Sequence, residues 1–130
     1  MTGPDALIRR YTLALCVWRE ARGESARGKR LVAQVIENRV QDRRWPDTYV
    51  SVITQPWQFS AFNKSDPNVH KFPDEGDPAW RQCVAAADAV LEAAEPFTDA
   101  NHYHVAGLTP AWRDDDKLVA AEGHHVFYRL

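Results

Sequence analysis

Cysteine is scarce in this chain, with only Cys16 and Cys83 among 130 residues. Both fall on apolar helical stripes, so two buried free thiols are expected rather than a disulfide or a metal pair. No hydrophobic run approaches the length of a transmembrane helix. An excess of one charge is also missing. Sixteen Lys and Arg against eighteen Asp and Glu leave a net charge of −2. That balance argues against nucleic acid as the main partner. Arg39, Arg43 and Arg44 do cluster, but mixed with Glu37 and Asp42, as on a solvated helix face. The first ten residues, Met1 to Arg10, lack the charged-then-apolar pattern of a secretory signal. There is no phosphate-cradling Gly-rich loop, no Gly-x-Ser-x-Gly elbow, no Cys-x-x-Cys and no His-Glu-x-x-His. Internal repeats, low-complexity tracts and linkers are absent as well.

What is present is an ordinary globular composition, 45% apolar and 26% charged. The whole chain, 1–130, reads as one domain large enough for a core without staples. Periodicity predicts a helix from about Asp5 to Arg22 and a second from about Ala26 to Arg44. The stripe of the second is Val32, Val35, Ile36 and Val40. Pro46 suits the start of a short third helix through Ile53. Trp57 to Gly76 reads as a long polar loop, of a length that is often functional. Asp77-Pro78 supplies a cap and a first-turn proline for a helix to about Ala94. That helix should bury Trp80, Cys83, Val84, Ala87 and Val90 or Leu91. His102–Val105 reads as a short strand, and Val119–Leu130 contains a second strand at His125–Tyr128. Helices first and a small β element last, without βαβ alternation, predict an α+β fold.

Glu20 stands out within this frame. It falls on the stripe of Leu13, Cys16 and Val17, which should face the core. Gly23 offers a stop signal, which puts Glu20 near the helix C-terminus. Burial and the negative end of the helix dipole both disfavour a charged carboxylate there. A carboxyl kept protonated near neutral pH is what a general acid requires. The plainer alternative is an ion pair with Arg19 or Arg22 and no chemistry.

Trp57, Phe59, Phe62, His102, Tyr103, His104, Trp112, His125, Phe127 and Tyr128 form an aromatic and histidine collection. Aromatic rings with polar tips suit sugars, because a face stacks while the tip hydrogen-bonds. Phe127 and Trp80 are instead expected in the core. His102 and His104 alternate on a strand and share a face. With His125, and Glu20 or Asp114 as a fourth ligand, they allow a zinc reading. His124 should point away from His125.

Several segments together resemble the SleB-like cell-wall hydrolase family, which includes spore-cortex-lytic enzymes and some phage endolysins. They are Glu20-Ala21-Arg22-Gly23-Glu24-Ser25, Gly28 with Val32 through Val40, and Gln55-Pro56-Trp57-Gln58-Phe59-Ser60-Ala61. They continue with His102-Tyr103-His104, Pro110-Ala111-Trp112 and Gly123-His124-His125-Val126-Phe127-Tyr128-Arg129. The order and approximate spacing fit over nearly the whole chain. The resemblance implies a lysozyme-like α+β fold, mostly helical with a small C-terminal antiparallel β element, acting on peptidoglycan. It places the catalytic glutamate at Glu20. It implies that Gln58, Phe59, Ser60, His102, Tyr103 and His104 line a saccharide cleft. Trp112, His125 and Tyr128 are expected to bind substrate or support the site. Glu122 and His124 depart from the family pattern, at a cleft edge rather than at the acid.

Two-carboxylate hydrolysis needs a second Asp or Glu across the scissile bond, and Glu24 is the best candidate. A lytic transglycosylase needs only one carboxyl group, in keeping with the resemblance. The expected function is therefore cleavage of the β-1,4 bond between N-acetylmuramic acid and N-acetylglucosamine by Glu20 as acid and then base. Hydrolytic muramidase is the alternative, followed by a zinc amidase and a non-catalytic saccharide-binding module. The expected partner is the peptidoglycan glycan strand, with no cofactor, metal, nucleic acid or membrane insertion, and a monomeric state. The expected setting is endolysin-like, with cytoplasmic accumulation before action on the wall. A domain of a secreted cell-wall protein is the second possibility.

Overall fold

The computed structural model describes residues 3–54, residue 67 and residues 71–130. The expected loop from Trp57 to Gly76 therefore lies mostly outside the described residues, together with Trp57, Gln58, Phe59, Ser60 and Phe62. Four helices come first: α1 (Pro4–Ala21), α2 (Ala26–Gln41), the short α3 (Tyr49–Ile53) and α4 (Pro78–Glu92). Three antiparallel strands follow: β1 (His102–Val105), β2 (Leu118–Glu122) and β3 (His125–Tyr128), in the spatial order β1-β3-β2. The α+β organisation agrees with the sequence pattern.

Local chemistry starts each helix. Pro4 opens α1, where its missing N–H costs nothing. The Ser25 hydroxyl accepts from the Gly28 N–H at 3.0 Å, and the Thr48 hydroxyl accepts from the Ser51 N–H at 3.1 Å. The Asp77 carboxylate accepts from the Ala79 N–H at 2.9 Å, directly before Pro78. Each satisfies a donor that the first turn would otherwise leave bare.

Helix ends differ from the sequence expectation for the same kind of reason. α2 stops at Gln41 rather than Arg44 because Asp42 is extended and its carboxylate takes the Arg44 N–H and guanidinium. α3 begins at Tyr49 rather than Pro46 because Thr48, not Pro46, is the cap. α4 ends at Glu92 because Ala93 is already extended. β2 was hidden within the expected Val119–Leu130 segment. It pairs with β3 through a two-residue turn, Gly123-His124, and is bulged between Leu118 and Ala120.

Leu13, Cys16 and Val17 from α1, Val32, Val35 and Ile36 from α2, and Cys83 and Ala87 from α4 are all fully buried. Phe127 of β3 enters the same cluster, while Trp80, Val84, Leu91 and Val40 pack at its margin. Both cysteines are free and buried, as the stripes predict. Among the described residues no helix is long and apolar enough to cross a membrane.

Polar side chains of α2 fix the chain entering β1. The Asn38 amide donates to the carbonyls of Thr98 (3.0 Å) and Ala100 (2.8 Å) and accepts from Gln34 at 2.9 Å. Arg39 is not on a solvated face as its sequence neighbourhood suggests. It is buried, donates to the Asn101 carbonyl at 2.7 Å and lies over Trp45. Asn101 in turn holds the chain end through its side chain and the main chain of Leu130, at 2.9 Å in both directions. Replacing Asn38→Ala strands two carbonyls and should lower unfolding free energy by about 1–3 kcal/mol. Urea unfolding tests this, and an unchanged midpoint would show that water substitutes for the amide.

Candidate functional site

Glu20 occupies the last turn of α1 and is half-buried. It stands one turn beyond Cys16, whose thiol is pushed well up by burial, with the Glu20 charge adding to the effect. The flanking arginines make several contacts. Arg19 donates to the Lys71 carbonyl at 3.2 and 3.1 Å and lies over the Phe72 ring. Arg22 donates to the Trp18 carbonyl at 3.1 Å and stacks on the Trp18 ring.

The sheet packs Tyr103 against the core that holds Cys16, Val17 and Ala21 at the end of α1. In the register of β1 with β3, Tyr103 faces Phe127 and Val105 faces His125. Paired residues share a face, so Tyr103, His125 and Phe127 all project toward the helices. The Tyr103 ring meets His125 edge-on at 5.1 Å and Phe127 at 5.8 Å. Burial pushes the Tyr103 hydroxyl well above its ordinary range; Glu20 and Cys16 add to this and Arg39 opposes it. The phenol therefore stays protonated at neutral pH.

Glu24 is four residues from Glu20 but serves another part of the fold. α1 has ended, and the Glu24 N–H closes on the Ala21 carbonyl at 3.0 Å. The Glu24 side chain is only 6% exposed. It reaches the β2–β3 turn, where Oε1 accepts from the His124 N–H at 2.7 Å and Oε2 contacts His124 Nδ1 at 2.9 Å. His125 Nδ1 lies 2.9 Å from Oε1, close enough for an ion pair but out of line for a hydrogen bond. Burial alone would raise the Glu24 carboxyl. The two His124 bonds and the nearby His125 and His124 outweigh it and hold the group below its ordinary value. Burial also lowers His125, against the pull of Glu24. Neighbouring groups brace the same corner: Ser25 and Arg27 hold Glu122 at 3.0 and 2.6 Å, and buried Lys29 bonds the Glu24 carbonyl and Gln82.

His124 does not behave as a residue pointing away from His125 on a strand. It sits in the turn, so an exposed His124 and a buried His125 reach one carboxylate. His124 clamps the Glu24 carboxylate, and Glu122 binds Ser25 and Arg27 beside it.

His102, His104, Trp112 and Tyr128 form a separate cluster on the opposite face of the sheet. His104 Nε2 contacts the Tyr128 hydroxyl at 2.9 Å and its Nδ1 the Val105 carbonyl at 2.8 Å. Trp112 covers His102 at 4.9 Å, His104 at 5.6 Å and Tyr128 at 5.5 Å. His102 Nδ1 lies 2.9 Å from Asn101 Oδ1, with Trp45 at 5.8 Å from its ring. The structure thus puts Tyr103 and His125 on the sheet face toward the helices, with Glu24 against His125, and His102, His104, Trp112 and Tyr128 on the other face. Gln58, Phe59 and Ser60 lie outside the described residues. The zinc reading needs His102, His104 and His125 on one face, and the register separates them. Among the described residues no group of three or more His, Cys, Asp or Glu is arranged to hold a metal. Asp114, the other suggested ligand, caps the short 3₁₀ turn at Asp115–Lys117.

Two predictions follow from this geometry. Gly123 has φ +56°, and a Cβ there would lie 2.9 and 3.0 Å from the Glu24 carboxylate oxygens. Gly123→Ala should therefore cost about 1–3 kcal/mol, from left-handed strain and displacement of the carboxylate. Guanidinium unfolding measures it, and an unchanged midpoint would contradict the clamp. The second concerns pH. Burial, reinforced by Arg39 and Arg44, lowers His102 from 6.5 to about 4. The folded state then favours the neutral ring, so the stability it contributes is present above pH 6.5 and is lost as pH falls toward about 4. His125 acts in the same direction, and depressed Glu24 continues it at lower pH. The thermal midpoint should drop across this window, and less steeply in His102→Gln. An equal slope in the variant would remove His102 from the account.

A family model described as Cell Wall Hydrolase matches residues 23–128, beginning just after Glu20. A spore cortex-lytic enzyme of Halalkalibacterium halodurans is 32% identical over 116 residues, 88% of this chain and 33% of that protein. The one from Bacillus subtilis is 30% identical over 119 residues, 88% of this chain and 35% of that protein. The chain thus spans about a third of the length of these relatives. The catalytic domain of the germination-specific lytic transglycosylase SleB from Bacillus anthracis superposes with a TM-score of 0.75 at 26% identity, covering 98% of this chain and 97% of that one. The catalytic domain of Bacillus cereus SleB gives 0.71 at 27%, covering 99% and 95%. The helices and the small sheet are therefore a lysozyme-like α+β fold of the SleB type, and the chain belongs to the cell wall hydrolase family.

Proposed function

We propose that this domain cleaves the β-1,4 bond between N-acetylmuramic acid and N-acetylglucosamine in peptidoglycan as a lytic transglycosylase. The observation that carries this reading is the commitment of Glu24. The best second carboxylate in the sequence is buried, charged and bound through both oxygens to a hairpin turn. A two-carboxylate hydrolysis would need that group across the scissile bond. Glu20 is left as the acid, with the protonated Tyr103 hydroxyl beside it.

In this mechanism the Glu20 carboxyl protonates the bridging oxygen as the C1–O bond breaks. The carboxylate so formed removes the proton of the muramoyl C6 hydroxyl. The C6 oxygen closes on C1, giving a 1,6-anhydro end and returning Glu20 to its protonated form. No water is consumed. Gln58, Phe59, Ser60 and Tyr103 are the proposed cleft residues, and buried His125 supports Tyr103 from within. His102, His104, Trp112 and Tyr128 are proposed to support the sheet from behind. The place of action is the cell wall, in keeping with the spore cortex-lytic relatives. An endolysin route, with accumulation in the cytoplasm, finds no support in the names of those relatives.

Mass spectrometry of muropeptides released from sacculi tests the outcome. Anhydro-muramoyl ends are expected, whereas reducing ends would favour the muramidase reading. Glu20→Gln should fold normally and lose about 10²–10⁴-fold in rate. EDTA should leave the rate unchanged, and its abolition would revive the amidase alternative.

A further inference from the structure

The Glu24 carboxylate is not a simple surface ion pair. It is buried, and its oxygens meet three histidine groups: the His124 N–H, His124 Nδ1 and His125 Nδ1. Gly123 leaves the space that lets the turn approach the carboxylate this closely. The groups facing it are His124 and His125 from the hairpin and Lys29 at its own carbonyl, with the Arg27–Glu122 pair alongside. A merely structural tie would end at the hairpin. This one continues, because the His125 ring stands edge-on against Tyr103 at an interplanar angle of 87°. Tyr103 packs against the core cluster that includes Cys16, Val17 and Ala21, the turns of α1 that carry Glu20.

Resting on the transglycosylase reading above, we infer that Glu24 and His125 are positioning residues for the general acid: Glu24 fixes the hairpin and the His125 ring, and His125 fixes the Tyr103 ring beside Glu20. His125 cannot tilt without moving off Glu24 or into Tyr103, so the placement of the phenol is set from the far side of the hairpin. His124, exposed in the turn, supplies the second hold on the carboxylate.

A double-mutant cycle on soluble glycan-strand fragments tests this, with near-UV circular dichroism confirming the fold. Glu24→Gln should lower kcat by up to about 10²-fold, the scale of a misplaced catalytic group, and leave KM nearly unchanged. In a Tyr103→Phe background the same substitution should cost less than about twofold, because the hydroxyl through which it acts is gone. Equal losses in both backgrounds, a raised KM with kcat intact, or a wild-type kcat in Glu24→Gln would each overturn the inference. His125→Gln, which leaves the two Glu24–His124 bonds in place, gives an equivalent cycle if Glu24→Gln unfolds. The parent reading fails separately, through reducing muramoyl ends from the wild-type protein.

Discussion

The Glu24 carboxylate ties the helical half of this protein to its sheet. It leaves the α1–α2 corner and enters a turn 100 residues away, where it takes the His124 N–H and meets two imidazoles. Burial works against a charge at that place, and the hydrogen bonds and imidazoles around it prevail. The hairpin carries β3, the middle strand, so its position sets the sheet. Phe127 then fills the core, while Tyr103 and His125 arrive beside the end of α1.

The two glutamates show how environment divides chemistry between like groups. Glu20 and Glu24 are separated by four residues, a spacing that would stack them on one face of a continuous helix. The helix stops between them. Glu20 keeps its helical direction next to Cys16 and Tyr103, whereas Glu24 turns to the hairpin. In the proposed mechanism one carboxyl group suffices, because the acceptor is the sugar's own hydroxyl.

The sheet makes a similar division among the histidines. His102 and His104 lie with Trp112 and Tyr128 on one face, and His125 lies with Tyr103 on the other. The i, i+2 spacing correctly placed His102 and His104 together. It carried no information about which face would meet Glu20, because that depends on pairing with β3. His124 departs from the strand alternation because it sits in the turn between β2 and β3. The Gly123-His124 pair between two apolar runs was the available signal for both that turn and β2.

Much was therefore legible locally. Caps at Asp77 and Pro78, the stripes of α1, α2 and α4, the β1 segment and the buried thiols all follow from short-range sterics, periodicity and hydrogen bonding. The sequence by itself determined the helical order, the core faces and the position of Glu20 at a helix end. Only the tertiary structure decided where the Glu24 carboxylate is held, which sheet face is turned toward the helices, and that Arg39 is buried. Those outcomes depend on strand register and on contacts between residues some 60 to 100 positions apart. No local pattern encodes such contacts, because their energy exists only once the chain has closed on itself.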